Sequence, residues 1–248
     1  MSDFQPVKPE QHQQLKLDPS LDWEFIARQH QLEVTVTEAQ QAASSFPLFF
    51  IKNSETGTTS IAAITSFVMD SNVLTDDKGE HQLAYVPLAA SLRPFALGID
   101  PDNDKNIIPY LDLASSLVSE SQGEALFNDG KATPFFQRYN QQLEQFYLGQ
   151  LETGKFIKAL EALDLIQPIE LEITIPSGKK STLKGLCHLN EKALNALAEQ
   201  DQQNLLNQGY FAAIFAMLSS MTQLNRLIQG HTKLGEPISG INIVPVTA

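Results

Sequence analysis

Between residues 46 and 95 the chain alternates apolar runs with turn residues: FPLFFIK, NSETGT, SIAAITSFV and, after a second turn at 76–79, AYVPLAASLRPFAL. Runs rich in β-branched and aromatic residues predict a meander of neighbouring strands over 46–52, 60–68 and 83–88. The first run is apolar at nearly every position, as expected of a strand covered on both faces. Pro87 has no N–H for a central ladder, which puts the third strand at an edge or interrupts it there. Strands at 93–99 and 107–113 complete a β-rich half, with the acidic loop Asp100-Pro-Asp-Asn-Asp-Lys-Asn between them.

On either side the pattern changes. Residues 1–19 lack periodicity and read as a flexible arm. Trp23, Ile26 and Ala27 share a face of a helix over 22–29, and Leu32, Val34 and Val36 alternate as a strand. Thr37 opens a Thr-Glu-Ala-Gln string with capping-box spacing for a helix over 38–44, ended by Pro47. Residues 115–133 are polar and connecting, with a turn at Asn128-Asp129-Gly130. Pro134 suits a first helical position, and Phe136, Tyr139, Leu143, Phe146 and Tyr147 recur along one helix face. Thr153 is placed to cap a further helix carrying Phe156, Ile157, Leu160 and Leu163. ELEITI and STLKGLCHL flank a Pro-Ser-Gly-Lys-Lys turn and predict a β-hairpin. Asn190 caps a short helix. A last helix over 202–229, apolar nearly all round between residues 210 and 218, is stopped by Gly230 and followed by a tail over 236–248. The fold class is therefore α+β: a bent antiparallel sheet from the N-terminal half plus a late β-hairpin, packed by C-terminal helices. With no Pro/Gly/Ser-rich linker, residues 20–235 read as one domain.

Charge narrows the partners. Seventeen Lys and Arg against 29 Asp and Glu leave the 248-residue chain at −12. That field repels polyanions, which argues against nucleic acid and anionic membrane surfaces. Cys187 is the single cysteine, so no intrachain disulfide forms. The N-terminus carries no basic and then apolar signal pattern, and the longest apolar run, residues 210–218, is under half a membrane span. The expected location is cytoplasmic, with the cell surface by a non-Sec route as the alternative.

Candidate chemistry is sparse. Asp100, Asp102 and Asp104 open like a calcium loop, but Lys105 and Leu111 stand where the loop wants Gly and Glu. Ser177 and Lys180 form S-x-x-K on a hairpin turn, away from the helix start that motif needs. The five histidines show neither H-E-x-x-H nor a His-x-Asp pair, so metal ligation has little support. Cys187 beside His188 reads as a buried thiol next to a hydrogen-bonded ring. No phosphate-cradling glycine motif occurs, and no cofactor is implied. Arg93 is the most interesting polar residue: among apolar strands its guanidinium needs a carboxylate or carbonyl. An internal ion pair is one answer; the other is a ligand anchor formed with Phe95, Tyr85 and Asn72, in a pocket between the sheet and the last helix.

FPLFFIKN, SNVLTDDKGE, YVPLAASLRPFAL, GEALFNDGKATPFF, TGKFIKAL, KGLCHLNEKALNAL and GYFAAIFAMLSSMTQLNRL occur in an order that resembles the SapC family of bacterial proteins. That family favours paired arginines before Pro-Phe, whereas Ser91-Leu92-Arg93-Pro94-Phe95 keeps one. A permease sharing the label spans membranes several times, unlike this hydropathy profile. The resemblance implies a non-catalytic accessory or surface-associated binding protein, linked to a surface layer, with a protein partner or self-association. Alternatives are a small-molecule or saccharide binder using the Arg93 pocket, and an enzyme whose site assembles only in space.

Overall fold

The computed structural model describes residues 2–53, 56–75 and 83–246. In chain order the elements are β1 (Phe4–Pro6), α1 (Pro9–His12), β2 (Lys16–Leu17), α2 (Trp23–Ile26), β3 (Gln31–Val34), α3 (Ala39–Ala42), β4 (Leu48–Lys52) and β5 (Thr59–Ile64). Then come α4 (Leu88–Ser91), β6 (Phe95–Asp100), β7 (Asn103–Asp112), β8 (Val118–Ser119), β9 (Glu124–Ala125), β10 (Phe127–Asn128), β11 (Lys131–Ala132) and α5 (Pro134–Glu161). The last are β12 (Ile166–Thr174), β13 (Lys180–Leu189), α6 (Glu191–Asn195), α7 (Glu199–Asn207), α8 (Phe211–Ser220), α9 (Leu224–Lys233) and β14 (Gly240–Pro245). Antiparallel sheets with C-terminal helices make the fold α+β, as predicted. The chain groups into two compact units: Met1–Asp22 with Leu88–Leu148 (unit 1), and Trp23–Pro87 with Gly149–Ala248 (unit 2).

Unit 1 is built from short strands around aromatic rings. Its sheets run β1-β7-β6 and β8-β2-β9, with a β10–β11 hairpin turned at Asp129 and Gly130, both at positive φ. Phe95 stacks on Phe136 at 5.5 Å, and Phe127 meets the same ring edge-on at 5.3 Å. Leu17, Leu111 and Leu126 close this core. Residues 1–19, expected to be a flexible arm, are instead built in: β1 pairs with β7, and Leu17 is fully buried. Two or three residues zipped onto an existing strand need no periodicity of their own.

Unit 2 holds a six-stranded sheet in the order β14-β12-β13-β4-β5-β3. The late hairpin joins the early meander through Leu186↔Ile51 and Cys187↔Phe50. Helix α8 lies against β4 and β13 as predicted, and Ser220 Oγ accepts the Leu48 N–H at 3.0 Å, but Phe215 on its other side is 58% exposed, so the burial expected all round is not met. The hairpin, the Asn190 cap and the strands near 31–34, 48–52 and 59–64 match their predictions, whereas the 22–29 helix is a single turn, α2.

Several expectations are corrected. Residues 83–88 form no strand before α4, because the N–H groups of Ala84 and Tyr85 donate to Ser45 Oγ rather than to a neighbouring strand. The cap falls on Thr35, not Thr37, with Glu38 closing the box. Thr153 caps nothing: α5 runs unbroken through it, and its Oγ1 donates to the Gly149 carbonyl and accepts the Val36 N–H. The last helix is three pieces, interrupted at Gly209 (φ 74°) and by a 3-10 turn at Met221–Gln223. Gly230 lies inside α9, and the supposed tail forms β14, paired to β12 with Ile173 opposite Ile241. The predicted turn at 76–79 and part of the turn at 54–58 lie outside the described residues.

Candidate functional site

In unit 2 three segments meet around a cavity of about 450 Å³. The turn after β5 supplies Phe67 and Val68, the β12–β13 hairpin supplies Ile173, Ile175 and Ser181, and the end of α9 with the chain leaving it supplies His231, Glu236 and Ile238. Its size and mostly apolar wall are those of small-ligand sites.

His231 organises this place. It sits in the last turn of α9, 2% exposed, and its ring stacks on Phe67 at 5.3 Å and 11°. Nε2 accepts the Phe67 N–H at 3.2 Å, so the proton belongs on Nδ1, which donates to Glu236 Oε2 at 3.2 Å. Ser66 Oγ lies 3.5 Å from Nε2, giving the outline of a serine–histidine–carboxylate line. The outline lacks its working part. The Nε2 lone pair is taken by a backbone donor, Ser66 is buried, and Ser66 Oγ itself accepts the Val68 N–H at 3.1 Å. The histidine thus pins the 66–68 turn and leaves a neutral edge at the cavity.

Unit 1 has a second cavity of about 530 Å³, lined by Leu97, Ile108, Leu143 and Tyr147 together with Lys105 and Glu144. Asn140, also on its wall, has an Oδ1 that is buried without a hydrogen-bond partner among the described residues.

The residues singled out from the sequence have other employment. Arg93 Nε lies 3.6 Å from Asp22 and Nη2 lies 3.5 Å from Asp112, with the Phe4 ring 6.0 Å away. Asp112 also accepts the N–H groups of Asp3 and Ala114, so it ties β1 to the end of β7. The Arg93–Pro94 peptide bond is cis, and Phe95 lies in the unit 1 core. In unit 2, Asn72 donates to the Ile26 carbonyl and accepts the Leu74 N–H. Tyr85 donates to Glu38 Oε2 at 2.6 Å, and burial followed by that carboxylate pushes its hydroxyl well above the ordinary range. Neither cavity is lined by Arg93, Phe95, Tyr85 or Asn72.

The metal candidates do not converge. Asp102 pairs with Lys8 at 2.7 Å, and Asp100 accepts the Asp102 N–H. Among the described residues, no group of three or more His, Cys, Asp or Glu is placed to hold a metal ion. Burial pushes the Cys187 thiol up and holds His188 below the ordinary histidine range, the latter partly offset by the backbone of Met217 and Leu189. Lys180, of the S-x-x-K string, pairs with Glu172 across the hairpin. Sequence reasoning missed His231 and Glu236, since it searched for metal and short acid–base spacings; a histidine in a helix's last turn, followed by Gly235 and a carboxylate, was the available signal.

Among the described residues no helix is long and apolar enough to cross a membrane. Comparison with curated proteins and with solved structures finds no match. The family model described as SapC matches residues 7–227, a span that takes in segments of both units and ends just before His231 and Glu236. With most of its length matched in this way, the chain belongs to the SapC family.

Proposed function

We propose that this chain is a non-catalytic binding protein that holds a small, mostly apolar ligand in the unit 2 cavity. The observation that carries the reading is the state of His231: both ring nitrogens are engaged by Phe67 N–H and Glu236, at the wall of a cavity otherwise rich in Ile, Val and Phe. An imidazole so held orients a ligand and keeps the turn in place; it has no free lone pair with which to take a proton. Arg93, Phe95, Tyr85 and Asn72 are structural in this reading, because each has an internal partner or a place in the core. The accessory or surface-associated setting is what the family resemblance implies, and cell fractionation tests it: a purely cytosolic pool removes it.

The binding reading is tested by ligand-observed NMR with a library of apolar fragments on the full chain and on Ile175→Trp, which fills the cavity. Binding that the filled variant loses while keeping its thermal transition is the expected result. Fragments that bind both forms alike would place the ligand elsewhere. Turnover of an activated ester that disappears in Ser66→Ala would replace binding with catalysis.

A further inference from the structure

The wall of the unit 2 cavity is not electrically neutral. Most of its lining is apolar, with Phe67, Val68, Ile173 and Ile175 prominent, and Ser181 and His231 contribute uncharged polar atoms. Among the described residues its lining includes no Lys or Arg, while Glu236 contributes a carboxylate that is 60% exposed on its side chain. One oxygen of that carboxylate, Oε2, accepts the hydrogen bond from His231 Nδ1–H, which leaves Oε1 for a second donor.

From this wall we infer that the cavity selects a cation: a compact apolar or aromatic body bearing one protonated amine. The inference rests on the reading of this cavity as a ligand site and names the class of ligand. An ammonium group at Glu236 gains a charge-assisted hydrogen bond while its apolar body rests on the Ile, Val and Phe lining. A carboxylate ligand of equal size meets the opposite conditions. It would meet Glu236 with no cation among the described lining residues to compensate it, in a chain carrying −12 overall. A neutral alcohol falls between the two, able to donate to Oε1 but without the charge.

Three isosteric probes test this by calorimetry or NMR titration at neutral pH: phenylpropylamine, phenylpropanol and phenylpropionate. The amine is expected to bind about threefold more tightly than the alcohol, in keeping with an ion pair at a largely exposed carboxylate, and the acid most weakly of the three. Glu236→Gln keeps an oxygen for His231 and is expected to abolish the amine's advantage over the alcohol, whose hydroxyl can accept from the new amide N–H instead of donating to Oε1. Glu236→Asp is expected to keep the preference. Equal binding of amine and alcohol, preferential binding of the acid, or an amine preference that survives Glu236→Gln overturns the charge inference and leaves the cavity reading standing. Absence of binding by all three probes, or binding undiminished by Ile175→Trp, overturns the cavity reading together with the inference.

Discussion

The two units keep polar groups inside by different means. Unit 1 uses opposite charges: Arg93 lies between Asp22 and Asp112, and Asp112 is 4% exposed. Unit 2 uses hydrogen bonds to neutral donors. Glu38, also buried, accepts the Thr35 N–H and hydroxyl at 2.9 Å each and the Tyr85 hydroxyl at 2.6 Å, while His231 is held by a backbone N–H and a carboxylate. A charge pair is costly to break because the survivor stays buried and uncompensated, whereas a carboxylate with several donors loses one at a time. Unit 1 should therefore fail abruptly when one partner is removed, and unit 2 by degrees.

The largest effect tests the first half of that statement. Arg93→Ala leaves two carboxylates facing each other and should cost about 3 kcal/mol, read by denaturant unfolding, with amide protection lost first in β1 and β7. A loss below about 1 kcal/mol, the range of exposed pairs, would mean that Asp112 is satisfied by the N–H groups of Asp3 and Ala114 and that the arginine adds little. Next comes a packing test in unit 2. A Cβ on Gly230 would lie 2.5 Å from the Val73 carbonyl oxygen, backbone that cannot swing aside as a side chain can. Gly230→Ala gains helix propensity yet should cost about 2 kcal/mol through overpacking. A stabilised variant would show that α9 is free to shift on the turn beneath it.

These residues also show where sequence is informative. Period two in ELEITI and STLKGLCHL and period 3.6 from Phe136 to Leu160 are set by one segment's own faces; the hairpin appears as predicted, and the two helices expected along the second stretch are one, α5. Strands β1, β2 and β14 are defined by the partner they pair with, β14 taking its register from β12, so their own residues carry almost no signal. Thr153 failed as a cap for the same reason. Its hydroxyl is used by Val36, far away in sequence, and Gly149 one turn earlier is glycine because the Thr35 side chain occupies the space a Cβ would need. Arg93 announced itself as a lone cation among apolar residues, but its carboxylates could not be chosen from the 29 acids in the chain. The cavity at His231 was invisible because its wall comes from three segments that share no local pattern.

A smaller effect sharpens the unit 2 half of the comparison. Tyr85→Phe removes one of the donors to Glu38 and should cost about 1 kcal/mol in a thermal or denaturant transition. Glu38→Ala removes the acceptor of the Tyr85 hydroxyl as well as of the Thr35 N–H and hydroxyl and should cost at least about twice that. Equal losses for the two variants would mean that the cluster behaves as a single unit, as the Arg93 pair is expected to.

The smallest effect is a pH dependence that the two units share for different reasons. His188 in unit 2 packs edge-on against Phe49, its Nε2 has no hydrogen-bond partner among the described residues, and burial lowers its proton affinity. His12 in unit 1 is lowered by burial too, and its Nδ1 accepts the Lys8 N–H, which requires a neutral ring. Both rings are neutral in the fold and titrate near 6.5 once unfolded, so below that pH the unfolded chain binds more protons than the folded one. Stability should accordingly be complete above about pH 7 and decline as pH falls through 6.5 toward the lowered folded values. Unfolding free energies measured between pH 7.5 and 5 should carry that slope, and His188→Phe should flatten it without lowering the neutral-pH value by as much as Arg93→Ala does. A His188→Phe protein whose slope matches the parent would assign the acid sensitivity to His12, and with it to unit 1.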